Sequence, residues 1–382
     1  MFTRPLKVPD RSFFLFGPRG SGKTTWICDK FPDAPRFDLL RADEHLRLQR
    51  DPGSFGEACE AFAEGSWIVV DEVQRVPAVL DEVQRLMTAR RQKFVLSGSS
   101  ARKLRRGGAN LLAGRAEVRH LFPFTNHELG YGRSLDDALA YGMLPLAVES
   151  PEPRRFLKAY VETYLHEEVQ AEALVRQIGG FVRFLEVAAR VNGQLVNVSG
   201  IARDAQVARP TVQDYFQILV DTLLAAWLPA WRSKKTVRQV MHPKLYLFDC
   251  GVIRHLAGYG HLHVHPEERG FLFETYLLHE IRAFLEYTAL DYPVFYWRTH
   301  DGAEVDFLVE TAKGVVLIEV KSGARWDRGF LAGMSRFRSV HPKLKTKSLG
   351  VFTGSRALVV DGVRVLPWLT FLKELWGGEL IA

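Results

Sequence analysis

Three glycines, a lysine and two threonines lie close together near the start of the chain, in the segment GPRGSGKTT at residues 17–25. Their spacing fits GxxxxGK[ST], in which glycines let the backbone turn tightly and direct its N–H groups at phosphate oxygens. Lys23 would reach the β- and γ-phosphates of ATP, and the Thr24 hydroxyl would bind Mg²⁺. The pattern predicts a phosphate-binding loop made of Gly17, Pro18, Arg19, Gly20, Ser21, Gly22, Lys23, Thr24 and Thr25.

The elements that must position this loop are visible on either side of it. The run from Phe13 to Phe16 is short, apolar and aromatic, as expected of a buried parallel strand. A helix from about Lys23 to Lys30 would add the positive end of its dipole to the phosphate site. A strand before the loop and a helix after it are the context that this motif requires.

A second apolar run, WIVVDE at residues 67–72, ends in two acids. Such a strand would place Asp71 where it holds Mg²⁺ through water, and Glu72 where it orients or deprotonates the attacking water. The alternative is that the two acids simply begin a helix, where negative charge is favoured.

A third strand, from Lys93 to Ser97, leads into the segment SGSS. A polar side chain at this point would lie beside the nucleotide strands and could sense the γ-phosphate. Ser97 is the first choice and Ser99 the second, and an ordinary turn is an equally good interpretation. The next segment is rich in arginine, and one of its arginines is a candidate arginine finger acting on the ATP of a neighbouring subunit. The candidates are Arg102, Arg105, Arg106 and Arg115, with Arg115 preferred.

A second group of acids lies in the C-terminal part of the sequence. Glu274 is near the start of an amphipathic helix, Asp306 lies on a strand, and Glu319 and Lys321 share one face of the next strand. An Asp and a Glu on paired strands can bind Mg²⁺ or Mn²⁺, which activates water, while a neighbouring lysine stabilises developing negative charge. Asp, a dozen residues, then Glu-x-Lys is the signature of PD-(D/E)XK nucleases. The alternative is a salt bridge between Lys321 and the acids, which contributes little to stability.

The composition describes a large chain with a basic region in its middle. The 382 residues are 47% hydrophobic and 25% charged, with a net charge of +7. No apolar run approaches the length of about 20 residues that a membrane span needs. The N-terminus lacks a signal-peptide core, and three distant cysteines support neither disulfides nor a zinc site, so we expect a cytoplasmic protein.

The middle of the chain carries 11 Lys/Arg against 5 Asp/Glu in residues 176–260, a surplus of +6. After a Pro- and Gly-rich linker at 141–155, the pattern of helix, short turn, helix and basic strand pair predicts a winged helix. Arg209, Thr211 and Gln213 would begin its recognition helix and meet DNA. A solvated basic surface, a lid and a protein-docking module are the alternatives. The His residues of HLHVH at 261–265 indicate a surface turn.

Nearly the whole chain resembles the prokaryotic AAA-type (STAND-like) P-loop ATPases that carry a C-terminal domain of unknown function. Five stretches carry the likeness: GPRGSGKTT, WIVVDEVQRVP, LSGSSARKL with LLAGRAEVRHLFPFTNHEL, HPKLYLFDCGVIRHLAG, and FLFET with GAEVDF and IEVKSG. The resemblance implies ATP binding and hydrolysis on an N-terminal α/β domain, a winged-helix segment and a restriction-endonuclease-like C-terminal fold.

These observations predict an α/β protein with a P-loop ATPase domain at 1–140, a linker at 141–155, a helical and winged-helix domain at 156–265, and a PD-(D/E)XK nuclease-like domain at 266–382. The expected function is Mg²⁺-dependent ATP hydrolysis acting on or with DNA, in a chain that could form a homo-oligomer. The alternative is a nucleotide-gated binding or signalling module, in which an inactive nuclease-like fold docks protein or nucleic acid.

Overall fold

The computed structural model describes residues 2–100, 104, 111–165, 178–232 and 242–381. The chain divides into two compact units. The N-terminal unit consists of Arg4–Pro123 and Ile218–Leu224, and the C-terminal unit consists of Met1–Thr3, Phe124–Gln217 and Ala225–Ala382.

The N-terminal unit is built on a five-stranded sheet in which every strand pairing is parallel. Its strands are β1 (Phe13–Phe16), β2 (Arg36–Asp38), β3 (Trp67–Asp71), β4 (Lys93–Gly98) and β5 (Glu117–His120). Its helices are Lys23–Lys30, Ala42–Arg50, Gly53–Glu60 and Val79–Ala89, with 3₁₀ turns at Val73–Arg75 and Leu111–Gly114. The strand order is β2-β3-β4-β1-β5, so β4 lies between the two strands that carry the predicted nucleotide motifs. The parallel sheet expected from the sequence is confirmed.

Both faces of β1 are covered, which explains why all four of its residues are apolar. Phe14 and Phe16 stack at 5.5 Å and belong to the core on one face of the sheet. Phe13 points the other way, where it meets the rings of Trp26 and Trp67 at 6.2 Å and 6.0 Å. This burial holds the strand rigidly at the point where the loop leaves it.

The C-terminal unit contains more helices and two sheets. Its helices are Leu135–Tyr141, Pro145–Glu149, Pro153–Ala159, Ile178–Arg190, Val198–Asp204, Arg209–Asp221 (of which residues 218–221 belong to the N-terminal unit), Cys250–Leu256, Pro266–Tyr287, Ala332–Val340 and Trp368–Trp376, with a π-helical segment at Tyr160–Leu165 and a 3₁₀ turn at Arg328–Leu331. Its strands are β6 (Ala225–Leu228), β7 (Lys244–Leu247), β8 (Val294–Arg298), β9 (Glu304–Thr311), β10 (Gly314–Lys321), β11 (Thr346–Phe352), β12 (Leu358–Val360) and β13 (Val363–Pro367).

The larger sheet has the order β12-β13-β11-β10-β9-β8. Strand β9 pairs antiparallel with both β8 and β10, whereas β11 runs parallel to β10. The parallel step requires a crossover, and the helix Ala332–Val340 provides it. Phe337 of that helix packs on the fully buried Trp297 of β8, with 5.2 Å between ring centroids.

Residues 178–232 and 242–247 contain the helices and the strand pair on which the winged-helix prediction rests. Three helices, Ile178–Arg190, Val198–Asp204 and Arg209–Asp221, precede the antiparallel pair β6–β7. Phe184 holds the first and third helices together through ring contacts at 5.2 Å with Tyr215 and 4.9 Å with Phe216.

The unit boundary lies before residue 124, not at 140 as the sequence pattern suggested. Asn126 donates its backbone N–H to Glu280 Oε1 at 2.6 Å and its side-chain Nδ2 to the Tyr276 hydroxyl at 3.0 Å. The carbonyl oxygen of Phe124 lies 2.9 Å from His279 Nε2. These contacts join residues 124–126 to the long helix Pro266–Tyr287, across 150 to 155 positions of sequence.

The segment 141–155, expected to be a linker, is folded into the C-terminal unit. Its Pro and Gly residues make helix starts and a tight turn: Pro145 and Pro153 each begin a short helix, and Gly142 has φ 70°. Asp249 accepts the backbone N–H of Met143 at 2.7 Å and also caps the helix Cys250–Leu256. Pro and Gly therefore mark a docked turn here instead of an extended connection.

Among the described residues, no helix has the length and apolar character needed to cross a membrane.

Candidate functional site

The predicted loop follows β1 directly, and its glycines adopt backbone geometry that other residues avoid. Gly20 and Gly22 have φ values of 80° and 91°, in the left-handed region. A Cβ on Gly17 would lie 2.3 Å from the carbonyl oxygen of Leu121, so this position has no room for a side chain. The helix begins at Lys23, with Gly22 as its N-cap, and ends at Lys30, as the sequence predicts.

Two polar side chains of the loop, Ser21 and Lys23, are buried. Lys23 is buried, and its Nζ donates to the carbonyl oxygens of Gly17 at 2.8 Å and Pro18 at 3.3 Å. Ser21 is fully buried, and its hydroxyl has no hydrogen-bond partner among the described residues. An ammonium group and an unsatisfied hydroxyl within one glycine-rich turn form a concave site suited to phosphate oxygens.

The loop meets the end of β3 through one hydrogen bond. Thr24 Oγ1 donates to Asp71 Oδ2 at 3.1 Å, and the hydroxyl of Ser97, at the end of β4, donates to Asp71 Oδ1. The backbone N–H of Glu72 in turn points at Ser97 Oγ, at 3.4 Å. The structure thus brings together Thr24, Asp71, Glu72 and Ser97, which sequence reasoning had placed on three separate elements.

Two residues of this site were missed by sequence reasoning. The Gln74 side chain donates to Glu72 Oε2 and, at 3.3 Å, to Ser99 Oγ, so it connects the ends of β3 and β4. Arg4 donates its guanidinium to the carbonyl oxygens of Ser21, at 3.3 Å, and Phe122. Gln74 could have been identified from sequence, because it follows Asp71 and Glu72 closely. Arg4 could not, because its contacts with Ser21 and Phe122 join residues that are 17 and 118 positions apart.

The remaining candidates of the N-terminal unit are exposed. Arg19 and Thr25 lie on the surface of the loop and of the first helical turn. Arg115 is also exposed and lines a shallow groove with side chains of the helix Val79–Ala89. Arg102, Arg105 and Arg106 lie outside the described residues.

A second polar cluster forms in the C-terminal unit around the adjacent strands β9 and β10. Lys321 Nζ lies 2.5 Å from Glu319 Oε1 and 3.7 Å from Asp306 Oδ2. Asp306 Oδ2 also accepts the backbone N–H of Val320 at 2.7 Å, and Glu319 Oε2 is buried with no hydrogen-bond partner among the described residues. The shared face predicted for Glu319 and Lys321 is therefore present, and Asp306 adjoins it.

Helix Pro266–Tyr287 and strand β7 bring further polar groups to this cluster. Glu274 Oε2 accepts from the hydroxyl of Tyr246 at 3.2 Å. Lys244 is buried and lies 2.6 Å from Glu304 Oε1. Neither Lys244 nor Tyr246 was identified from sequence, because β7 is about 60 positions from β9 and the approach is tertiary.

Burial and like charge change the acidity of these groups. Burial, with the neighbouring Asp306 charge, raises the pKa of Glu274 to about 8 and that of Glu319 to about 9. Burial opposes the charged form of Lys321, but the charges of Asp306 and Glu319 outweigh it and raise the Lys321 pKa. The cluster therefore holds more carboxyl groups than the two lysines, Lys244 and Lys321, can balance. In the described parts of the chain, no group of three or more His, Cys, Asp or Glu is arranged to hold a metal ion.

Three family models match successive parts of the chain. Residues 9–130 match an AAA domain, residues 132–262 a domain of unknown function (DUF8612), and residues 269–371 a domain of unknown function (DUF4143). The first match covers the whole predicted nucleotide site. It supports an AAA-type ATPase.

Similar proteins occur in Mycobacterium and Haemophilus. The chain is 28% identical over 318 residues to uncharacterized proteins of Mycobacterium bovis and Mycobacterium tuberculosis, covering 80% of this chain and 69% of each relative. An uncharacterized protein of Haemophilus influenzae is 23% identical over 282 residues, covering 69% of this chain and 68% of that protein. Among solved structures, a Signal Transduction ATPase with Numerous Domains (STAND) protein with a tetratricopeptide repeat sensor, from Pyrococcus horikoshii, matches with a TM-score of 0.21 and 14% identity, over 76% of this chain and 49% of that chain.

Proposed function

We propose that the N-terminal unit binds ATP with Mg²⁺ and hydrolyses it. The observation that carries this proposal is the hydrogen bond from Thr24 to Asp71, which joins the phosphate loop to an acid at the end of β3. Hydroxyl and carboxylate oxygens are the ligands that Mg²⁺ prefers, so this pair fits the ion in type and position. When bound, the ion would neutralise charge developing on the phosphates.

Each remaining residue has a role that follows from its location. The backbone amides of residues 17–24 and the ammonium of Lys23 would hold the phosphates. Glu72 would accept a proton from the attacking water, and Ser97, bonded to Asp71, would respond to the γ-phosphate.

Nucleotide binding tests the first half of this proposal. Lys23→Ala should lose ATP affinity because the main cation of the loop is gone, whereas Glu72→Gln should bind ATP like the wild type. Lys30→Ala, at the far end of the same helix, is the matched control and should bind normally. Equal affinity in Lys23→Ala and wild type would contradict the assignment of the loop.

We further propose that the protein acts with DNA through the helix Arg209–Asp221. Arg209 and Gln213 are exposed near its start, and the surrounding region is basic. Affinity for duplex DNA should fall steeply with salt, because each neutralised phosphate releases a counterion. Replacing Arg209, Lys234 and Lys235 by Glu should abolish most binding; the two lysines lie outside the described residues.

A charge-matched control separates a binding surface from net charge. Arg154, Arg155 and Lys158 are exposed on the helix Pro153–Ala159, and their replacement by Glu removes the same charge elsewhere. It should leave DNA affinity nearly unchanged. If DNA is not bound at low salt by the wild type, and DNA does not alter its ATPase rate, the partner is a protein and the module is a docking surface.

The C-terminal cluster supports a second candidate function, metal-dependent cleavage of nucleic acid. Glu274 lies on the helix Pro266–Tyr287, Asp306 on β9, and Glu319 and Lys321 on the adjacent strand β10. This arrangement supports the hypothesis of a PD-(D/E)XK nuclease site. The unpartnered Glu319 Oε2 beside Asp306 fits a second Mg²⁺ or Mn²⁺, held by these two carboxylates.

Nicking of DNA or RNA with Mg²⁺ or Mn²⁺ tests this candidate. Asp306→Ala and Lys321→Ala should stop cleavage without changing ATP hydrolysis. Glu310→Gln, four positions along the same strand as Asp306, is the control and should cleave normally. If neither metal supports cleavage, with or without ATP, the C-terminal unit is an inactive nuclease-like fold that docks its partner.

A further inference from the structure

Gln74 lies between two segments of the proposed nucleotide site. One is the end of β3, which is followed by Glu72, and the other is the segment after β4, which carries Ser99. Gln74 itself lies in the 3₁₀ turn Val73–Arg75 directly after β3, and its side chain is buried. Its Nε2 donates both to Glu72 Oε2 and to Ser99 Oγ, the latter at 3.3 Å. One amide group therefore spans from the end of β3 to the segment after β4.

The backbone of Glu72 shows why its side chain needs such a partner. Glu72 has φ 58° and ψ 44°, a left-handed conformation that residues other than glycine rarely adopt. Such geometry persists only where the surroundings fix it, and it commonly occurs at functional sites. Here the backbone N–H of Glu72 approaches Ser97 Oγ at 3.4 Å, and the carboxylate is held by Gln74.

The opposite side of the Gln74 amide is shaped by a glycine. A Cβ on Gly98 would lie 2.4 Å from Gln74 Oε1, so this position is small enough to admit the amide. Gln74 Oε1 is buried and accepts no hydrogen bond from the described residues. A buried amide with one unsatisfied end is unfavourable for stability alone. The contacts of Nε2 are therefore the reason for this side chain to be here.

We propose that Gln74 is a positioning residue for ATP hydrolysis, which orients the Glu72 carboxylate and links it to Ser99. The inference rests on the proposed ATPase function. A general base must lie within hydrogen-bond reach of the water it deprotonates, and a free glutamate samples many rotamers. Gln74 engages one carboxylate oxygen and leaves the other to accept the proton. Because Ser99 follows β4, a change at the end of that strand is transmitted to Glu72 through a single amide.

Three variants remove this support in different ways. Gln74→Met keeps the length of the side chain and removes the donor. Gln74→Glu keeps the shape but places a second carboxylate against Glu72. Gly98→Ala leaves Gln74 in the sequence and displaces its amide sterically. Gln92→Met is the matched control. Gln92 is also buried and donates to the carbonyl oxygen of Cys59 at 2.8 Å, but it precedes the first residue of β4, at the end opposite to Ser97 and Ser99.

Steady-state ATPase kinetics and ATP binding give the decisive readout. In Gln74→Met and Gly98→Ala we expect kcat to fall by roughly 10-fold to 100-fold, at or below the lower end of general-base contributions, because Glu72 itself is retained. The ATP dissociation constant should change less than about twofold, because Gln74 makes no contact with the phosphate loop. In Gln74→Glu kcat should fall as well, because a carboxylate at this position cannot donate a hydrogen bond to Glu72.

Each outcome decides the proposal. Unchanged or increased kcat in folded Gln74→Met, with Glu72→Gln inactive and Gln92→Met normal, overturns the role of Gln74 and leaves the ATPase proposal standing. A wild-type protein that binds ATP but does not hydrolyse it overturns both. If Gln74→Met does not fold, the kcat and ATP affinity of Gly98→Ala and Gln74→Glu decide by the same criteria.

Discussion

The hydroxyl of Thr24 and the carboxylate of Asp71 lie 3.1 Å apart, although 47 positions separate them in the sequence. The contact exists because the first residues of helix Lys23–Lys30 and the last residue of β3 reach the same edge of the parallel sheet. The fold alone therefore brings two oxygen atoms that could bind a metal ion together beside the phosphate loop.

The first prediction concerns this pair. Thr24→Ala should weaken ATP binding in the presence of Mg²⁺ by about tenfold, the value of one hydrogen bond to a charged group. Binding measured with a chelator should not change, because the ammonium of Lys23 and the loop amides remain. Thr88→Ala, an exposed helix threonine, is the control. Equal loss with and without Mg²⁺ would remove Thr24 from the metal site.

The second prediction concerns Ser97, whose hydroxyl lies between Asp71 and the backbone of Glu72. Ser97→Ala should lower kcat by about tenfold while ATP affinity stays nearly constant, because the acid at the end of β3 loses its orienting donor. Ser12→Ala is a matched control at the opposite end of the strands, where Ser12 Oγ accepts from Phe94 N–H at 2.9 Å. An unchanged kcat in Ser97→Ala would make Ser97 a structural residue.

The third prediction concerns Arg115, which is exposed and lines a groove with side chains of the helix Val79–Ala89. If it serves a neighbouring copy, Arg115→Ala should lower the ATPase rate by about 1,000-fold, the lower range for arginine fingers. Arg50→Ala, equally exposed on another helix, should not.

A mixing experiment separates action within a chain from action between chains. Arg115→Ala retains an intact loop, and Lys23→Ala retains Arg115, so a mixture of the two inactive proteins should recover activity. No recovery, or full activity of a strictly monomeric wild type, would rule out the finger.

The fourth prediction is a pH dependence of stability that arises from Glu280. Glu280 is completely buried, and burial raises its pKa to about 7 from the ordinary 4.5. Between these two values the unfolded chain has lost the proton while the folded chain keeps it. The free energy of unfolding therefore falls as pH rises from about 4.5 to about 7, and levels off above.

Glu280→Gln removes this titration. Between pH 4.5 and pH 8 the free energy of unfolding should fall less in this variant than in the wild type. The difference between the two falls should be about 3 kcal/mol at most. Chemical denaturation across this range measures the difference. Glu267→Gln, an exposed carboxylate on the same helix, should keep the wild-type slope. Parallel slopes for Glu280→Gln and wild type would show that Glu280 is ionised in the folded protein.

The sequence predicted those parts of the nucleotide site that local structure determines. The strand Phe13–Phe16, the glycine-rich turn and the helix Lys23–Lys30 are contiguous, so one apolar run and one motif define all three. The alternation of side chains along a strand likewise sufficed to place Glu319 and Lys321 on one face.

The parts that were missed depend on contacts between distant segments. The unit boundary at residue 124 follows from Asn126 binding Glu280, and no local pattern marks that pair. The approach of Lys244 and Tyr246 to the C-terminal acids follows from the packing of β7 near β9. Composition misled at 141–155, because the same Pro and Gly residues suit both a linker and a docked turn with short helices.

The most direct test of the central claim is phosphate release from ATP by the purified full chain, compared between the wild type and Glu72→Gln. With saturating ATP and Mg²⁺, the wild type should release phosphate continuously. Glu72→Gln should bind ATP with similar affinity and release phosphate at least about 100-fold more slowly, since the general base is lost. Equal rates in the two proteins, or no release above background by the wild type, would contradict the account.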